Sequence, residues 1–374
     1  MIASPIPICI TLGTRPEAIK LAPVIQVLQR SPLFAPYVVL TGQHREMVDQ
    51  VMALFDLRAD RDLAIMQPKQ TLTEITCRAL QGLEQLYQEL LPRLVLVQGD
   101  TTTAFAATLA AFYQQIPVGH VEAGLRTNDL YHPYPEEANR RLISQLAQLH
   151  FAPTAQAVKN LQAAGVTGTI HLTGNTVIDA LLQVADRQPV CPVPGLDWEQ
   201  YRVLLATVHR RENWGAPLED IANGFLRILN TLPDTALLLP LHRNPTVREP
   251  LKAYLGHHPR VFLTEPLDYP TLVAAMKGST LLLTDSGGLQ EEAPSLGKPV
   301  LVLRETTERP EAVTAGTAKL VGTFADRIAA AAIELLTDPV AYNRMATAIN
   351  PFGDGHASDR ILEIVTQFFA QQTQ

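Results

Sequence analysis

The chain has 374 residues, of which 47% are hydrophobic and 18% charged; that suits a globular enzyme of roughly two to three domains with a sizeable core, and excludes disordered or fibrous classes. A formal net charge of −7 argues against a nucleic-acid partner, which needs a basic face, and means that an anionic substrate must be held by local basic groups. Three well-separated cysteines, Cys9, Cys77 and Cys191, with no CxxC pair, exclude a disulfide framework and a zinc knuckle and point to reduced thiols.

In chain order, an apolar run at 6–12 predicts a first strand. It enters the turn Gly13-Thr14-Arg15-Pro16-Glu17 and a helix over 18–29. A strand at 37–40 and a helix over 72–91 follow. The strand at 94–97 runs into Gln98-Gly99-Asp100 and a helix over 103–113. Asp is a favoured N-cap, so Asp100 reads either as a cap for that helix or as a positioned carboxylate. The strand at 118–121 ends in Glu122-Ala123-Gly124-Leu125-Arg126. Glu is a poor cap, so here the carboxylate reading is stronger. Pro135 fits the first position of a helix over 136–148. Glu136 and Glu137 would then sit in its first turn, where the macrodipole favours acids and accounts for one of them. A short strand at 150–151 closes this half.

The rhythm restarts after the Pro-rich stretch 188–195, with strands expected at 203–206, 236–239, 261–263, 281–283 and 300–303. Helices are expected over 217–230, 269–277, 289–296 and 327–336, and a last amphipathic helix over 358–372. Nearly continuous apolar strands alternating with helices read as buried parallel strands in βαβ units. The expectation is therefore α/β: two doubly wound, Rossmann-like parallel-sheet domains joined near 174–195, with their strand carboxyl ends facing a central cleft. The domains would span 1–174, joined by the helix 358–374, and 175–357.

The second half also ends its strands in polar residues. His209-Arg210-Arg211 and His242-Arg243-Asn244 make better anion sites than a random loop. Thr284-Asp285-Ser286-Gly287-Gly288 is a strand–turn–helix whose glycines would let a phosphate approach backbone N–H groups; a tight turn with a Ser cap is the plainer alternative. Glu292, one turn into that helix, suits a ribose diol. GxGxxG, Walker A and HExxH patterns are absent.

Taken together, the chain resembles the non-hydrolysing UDP-N-acetylglucosamine 2-epimerases, which have the two-domain GT-B fold. The resemblance rests on Gly13-Thr14-Arg15-Pro16-Glu17, Thr41-Gly42-Gln43-His44-Arg45-Glu46, Gln98-Gly99-Asp100-Thr101-Thr102 and His120-Val121-Glu122-Ala123-Gly124-Leu125-Arg126. It continues through Pro135-Glu136-Glu137-Ala138-Asn139-Arg140, Gly174-Asn175-Thr176-Val177, His209-Arg210-Arg211-Glu212-Asn213 and the 284–294 segment. It covers essentially the whole chain; Gly42 stands where Ala is common. The resemblance implies that Asp100, Glu122, Glu136 and His209 are catalytic. It implies that Arg15, Lys20, His242, Ser286, Gly287, Gly288, Glu292 and Arg309, with His209, hold the substrate and its UDP. It also implies an allosteric UDP-N-acetylglucosamine site at Gln43, His44, Gln70 and Arg210, no metal or other cofactor, and a homodimer. Its ligands would be UDP-N-acetylglucosamine, UDP-N-acetylmannosamine and UDP.

Inversion at C2 requires breaking a C–H bond with no adjacent carbonyl. Without a dinucleotide fingerprint, elimination of UDP to 2-acetamidoglucal and re-addition is the favoured route. It needs carboxylates on both faces of C2 and basic groups on the diphosphate; which carboxylate removes the proton stays open. The product would supply N-acetylmannosamine for cell-surface polysaccharides. Rival readings are a GT-B glycosyltransferase, a hydrolysing epimerase and a catalytically dead UDP-sugar sensor. The start lacks the basic region of a signal peptide, and no apolar run approaches the roughly 20 residues that span a bilayer, so a cytoplasmic protein without a membrane partner is expected.

Overall fold

A computed structural model describes residues 4–42, 45–67, 69–127 and 129–372. These form two compact units, one comprising 1–180 with 352–374 and the other 181–351.

The first unit is built on strands β1 (Ile6–Leu12), β2 (Phe34–Leu40), β3 (Arg61–Asp62), β4 (Leu94–Gln98), β5 (Val118–Val121), β6 (Leu149–Ala152) and β7 (Thr169–Leu172). They lie in the order β3-β2-β1-β4-β5-β6-β7, parallel throughout. The central strands are apolar at nearly every position because helices cover both faces of the sheet. Leu94, Val95, Leu96 and Val97 are all fully buried. One face packs against the helices Leu72–Leu90 and Thr102–Tyr113 around Leu83, Tyr87, Val95 and Ala107.

The second unit has β8 (Arg202–Thr207), β9 (Thr235–Pro240), β10 (Val261–Thr264), β11 (Leu281–Thr284), β12 (Val300–Val302) and β13 (Ala318–Leu320). Their order is β10-β9-β8-β11-β12-β13, again parallel. Its core gathers Leu204, Ala206, Phe225, Leu237, Leu283 and Ile328. Both sheets are doubly wound, and each reverses its winding at one place, between β1 and β4 and between β8 and β11. In such sheets the crevice outside the strand carboxyl ends at that reversal is where ligands bind.

Three strands escape the sequence pattern: β3, β7 and β13. All lie on sheet edges, and edge strands need no continuous apolar run. Thr169–Leu172 has no buried residue at all. The unit boundary falls at 180/181, inside the helix Thr176–Asp186, rather than at 174/175. The reason is local: Asp179 accepts hydrogen bonds from Ala357 N at 3.2 Å, Ser358 N at 2.7 Å and Ser358 Oγ at 2.6 Å. These bonds tie the start of that helix to the final helix, Ala357–Gln372. That last helix packs on the helix Arg15–Arg30 of the first unit, with Phe369 meeting Phe34 at 6.0 Å between ring centroids. No helix among the described residues is long and apolar enough to cross a membrane.

Candidate active site

At the first reversal point the turn after β1 is closed by its own helix. Glu17 is buried and accepts from Gly13 N at 3.1 Å and from Thr14 N and Thr14 Oγ1, both at 2.7 Å. Thr101 Oγ1 reaches its other oxygen at 2.7 Å. Glu17 therefore joins the turns after β1 and β4. Arg15 stands beside it, its side chain without a hydrogen bond or ion pair among the described residues.

The turn after β4 resolves the reading of Asp100. The helix Thr102–Tyr113 is capped by Thr101, whose side chain accepts from Ala104 N at 3.0 Å. Asp100 is therefore not the cap. Its Oδ2 takes both Nε, at 2.9 Å, and an Nη of Arg140, while Asn139 Nδ2 holds its backbone carbonyl at 2.9 Å. Burial pushes the Asp100 carboxyl above its ordinary range; Arg140 opposes this, and Glu122 and then Glu136 add to it. A carboxyl so placed is suited to carrying a proton.

Glu122 ends β5 in a left-handed conformation, φ +63°. A non-glycine residue there is strained, and such strain collects at functional positions. The carboxylate is 7% exposed and surrounded by donors. Lys20 Nζ lies 2.5 Å from Oε1, Asn175 Nδ2 donates to Oε1 at 3.2 Å, and Gln98 Nε2 donates to Oε2. Three side-chain donors thus converge on this carboxylate.

The two adjacent glutamates separate into different roles. Glu137 is fully buried, accepts from Thr127 N at 3.0 Å and pairs with Arg141 at 2.6 Å and Arg140 at 3.3 Å. It is structural. Glu136 is half-buried and makes no side-chain hydrogen bond or ion pair among the described residues. Pro135 is the N-cap of this helix, with φ −91° and ψ 9°, rather than its first helical residue. The expected position is thus corrected by one: the helix begins at Glu136 because Pro135 is not in helical geometry.

In the second unit the site forms around Asp285, which is fully buried at the end of β11. Its Oδ2 accepts from His209 N and Arg210 N, both at 2.8 Å, and from Asn213 Nδ2 at 3.0 Å. His209 Nδ1 lies 2.9 Å from its Oδ1. The imidazole is oriented with Nδ1 on the carboxylate, leaving Nε2 for a ligand, a second-partner arrangement familiar from working histidines. His242, after β9, stacks on His209 at 6.0 Å between ring centroids.

Ser286 is not used as a cap: the helix Gly287–Glu292 has no side-chain cap hydrogen bond, so the plainer reading of that turn fails. A Cβ added to Gly287 would lie 3.8 Å from an Arg210 Nη and 3.9 Å from the Arg309 guanidinium. The two guanidiniums thus converge on the glycine turn. Arg309 is aimed by Glu291, and Arg210 pairs with Glu308 at 3.4 Å. Glu292 is 6% exposed and accepts from Tyr269 Oη at 2.8 Å. Gly288 follows in the same turn.

A sequence model of the UDP-N-acetylglucosamine 2-epimerase family matches residues 26–366. The chain belongs to the UDP-N-acetylglucosamine 2-epimerase family. A UDP-N-acetylglucosamine 2-epimerase of Escherichia coli strain K12 is 53% identical over 361 residues, 94% of this chain and 96% of that one. The crystal structure of the family member from Neisseria meningitidis bound to UDP-GlcNAc superposes with a TM-score of 0.88 at 48% identity, over 97% of this chain and 100% of that one. The fold extends beyond the family: a kitacinnamycin glycotransferase shares it with a TM-score of 0.63 at 14% identity, over 96% and 99% of the two chains.

Of the regulatory residues expected for this family, Gln43 and His44 lie outside the described residues. Gln70 spends both ends of its amide locally, accepting from Gln67 N at 2.6 Å and donating to Ile65 O at 2.9 Å. Arg210 sits at the glycine turn of the second unit. The residues that sequence reading passed over are the holders: Arg140 behind Asp100, Gln98 and Asn175 behind Glu122, and Glu291 behind Arg309. All four lie inside quoted motifs, yet only the fold pairs them with the groups they hold. Among the described residues no group of three His, Cys, Asp or Glu side chains could hold a metal ion.

Proposed function

We infer that the protein catalyses the reversible C2 epimerisation of UDP-N-acetylglucosamine to UDP-N-acetylmannosamine, without hydrolysis. Family membership and the UDP-GlcNAc bound to the Neisseria relative support the substrate. The observation that carries the chemistry is the pair Asp100 and Glu122, one carboxyl raised by burial and the other ringed by donors. Two acid–base groups held in unlike environments can work on opposite faces of one carbon.

The substrate holds its own driving group. As a carboxylate takes the C2 proton, the C1–O bond breaks and its electron pair leaves with UDP, giving 2-acetamidoglucal. In the return step the diphosphate oxygen attacks C1 and C2 receives a proton on the other face. No step transfers a hydride, so the scheme calls for no NAD, and basic side chains can meet the charge that develops on the diphosphate. Asp100 and Glu122 serve as the proton-transferring pair, with Glu136 as the third carboxylate near Asp100. His209, Arg210, Ser286, Gly287, Gly288 and Arg309, with Arg15 and His242, meet the diphosphate, and Glu292 the ribose. Lys20 orients Glu122. Charge stabilisation on the departing diphosphate is worth at least as much as acid–base help of about 10²–10⁴-fold. The product serves as a source of N-acetylmannosamine units for surface polysaccharides.

The test is NMR of the purified protein with UDP-N-acetylglucosamine in D₂O containing EDTA. Both product and recovered substrate gain deuterium at C2, with no free sugar accumulating. Retention of the original hydrogen excludes elimination, steady release of N-acetylmannosamine and UDP indicates the hydrolysing reaction, and loss of activity in EDTA shows a metal requirement.

A homodimer is supported by the helix Thr102–Tyr113, which is apolar almost all round. Phe112 is 50% and Tyr113 61% exposed, and a helix of that composition is normally covered. Phe112→Asp should convert the dimer to a monomer in light scattering behind size exclusion. An unchanged mass for the variant, or a monomeric wild type, removes this face as the interface.

A further inference from the structure

Asp100 and Glu122 follow different strands, β4 and β5, and the backbone ladder between those strands stops short of both. In the register of β4 and β5, Val97 lies opposite His120 and Gln98 opposite Val121. Past these pairs the chain turns sharply, with Gly99 at φ +70° and Glu122 at φ +63°. The peptide group at Gly99 is nevertheless tied to β5 on both sides. Its N–H donates to Val121 O at 3.0 Å, and its carbonyl faces His120 Nε2 at 2.7 Å. A Cβ on Gly99 would lie 3.9 Å from Glu122 Oε2, so this backbone passes within contact distance of the neighbouring carboxylate.

We propose that His120 is a positioning residue that sets the spacing of Asp100 and Glu122 by donating its Nε2–H to the Gly99 carbonyl. It rests on the assignment of those two carboxylates to the C2 chemistry. A carbonyl only accepts, so Nε2 carries the proton. His120 is fully buried, and its Nδ1 meets no partner among the described residues. Burial, only partly offset by the Gly99 contact, pushes the imidazole down to about 3. The ring is therefore neutral and keeps one tautomer wherever the enzyme works. Its neighbours Val118 and Val121 show what this strand uses when packing alone is needed. A buried ring with one nitrogen left unpartnered is costly, and the Gly99 contact is what it secures. The peptide it holds is the one that leads into Asp100, and a shift of about 1 Å in a reacting group can cost 10²-fold in rate.

The experiment compares His120→Asn with His120→Gln. Glutamine carries its amide nitrogen about as far out as Nε2, whereas asparagine falls short of Gly99. Expected for His120→Asn is a kcat lower by about 10- to 100-fold with KM within about 3-fold, at unchanged melting temperature and UDP affinity. His120→Gln should recover most of that loss. A packing role predicts that both variants lose activity alike, in step with stability. Wild-type kcat in His120→Asn, or a folded His120→Gln no better than His120→Asn, overturns the proposal. Should His120→Asn fail to fold, ¹⁵N NMR of the wild-type ring decides. A neutral Nε2–H tautomer from about pH 5 to 8 is expected, and an Nδ1–H or protonated ring refutes it. Failure of the C2 assignment itself is separately visible, as full activity in Asp100→Asn and Glu122→Gln.

Discussion

Glu122→Gln is expected to lower kcat by about 10²–10⁴-fold while KM changes only a few-fold. The substitution keeps size and hydrogen-bonding atoms but removes the charge and the ability to exchange a proton. It also breaks the electrostatic logic of the pocket. Lys20 Nζ lies 2.5 Å from one carboxylate oxygen, and Gln98 and Asn175 present amide N–H groups to the same carboxylate. A glutamine must turn its own NH₂ towards one of these donors. Asp100→Asn should have an effect of the same order, since Arg140 holds the carboxyl by two of its nitrogens. The measurement is initial rate against substrate concentration, with UDP binding by calorimetry as the control, because most of the residues proposed to meet the nucleotide belong to the other unit. Near-normal kcat in Glu122→Gln would strike it from the chemistry. Full solvent-deuterium exchange at C2 without epimerisation would instead show that one face still works.

Asp285→Ala is expected to cost stability and nucleotide affinity together. It removes a buried acceptor serving His209 N, Arg210 N and Asn213 Nδ2, and leaves those donors unsatisfied. Breaking such a buried charged network costs about 3–5 kcal/mol. The His209–Arg210 turn loses the group that shapes it, so UDP affinity should fall at least about tenfold, the equivalent of 1.4 kcal/mol. The pH dependence has a definite sign. Burial alone would raise this carboxyl, but the contact and charge of His209 and the N–H groups of Arg210 and His209 outweigh it, and the net shift is downward. An acid depressed in the folded state contributes stability above its unfolded value, near 3.9, and loses it as pH falls through the folded value. The gap between wild type and Asp285→Ala in urea should therefore be flat from about pH 8 to 5 and narrow only below about pH 4. A gap that closes already at pH 6 would assign the stabilisation to a histidine.

The sequence by itself determined the kind of fold and pointed to the residue types of the candidate site. Central strands such as Leu94–Gln98 and Leu281–Thr284 are legible because burial on both faces leaves continuous apolar runs, and the polar residue that ends each run stands out against them. The edge strands Arg61–Asp62, Thr169–Leu172 and Ala318–Leu320 were not legible, because an edge is only half covered and imposes no such run. Local rules also left three ambiguities that only tertiary structure decided. Asp100 could have been a helix cap until Thr101 took that role. Ser286 could have capped its helix, but its side chain makes no cap hydrogen bond. Glu136 and Glu137 were equivalent under the dipole rule until Arg141 and Thr127 claimed Glu137. In each case the deciding partner is set by hydrogen-bond geometry that spacing along the chain does not encode. The same holds for the holders of the site: Lys20 meets Glu122 across 102 residues and Arg140 meets Asp100 across 40, pairings that exist only once parallel strands have brought their carboxyl ends side by side.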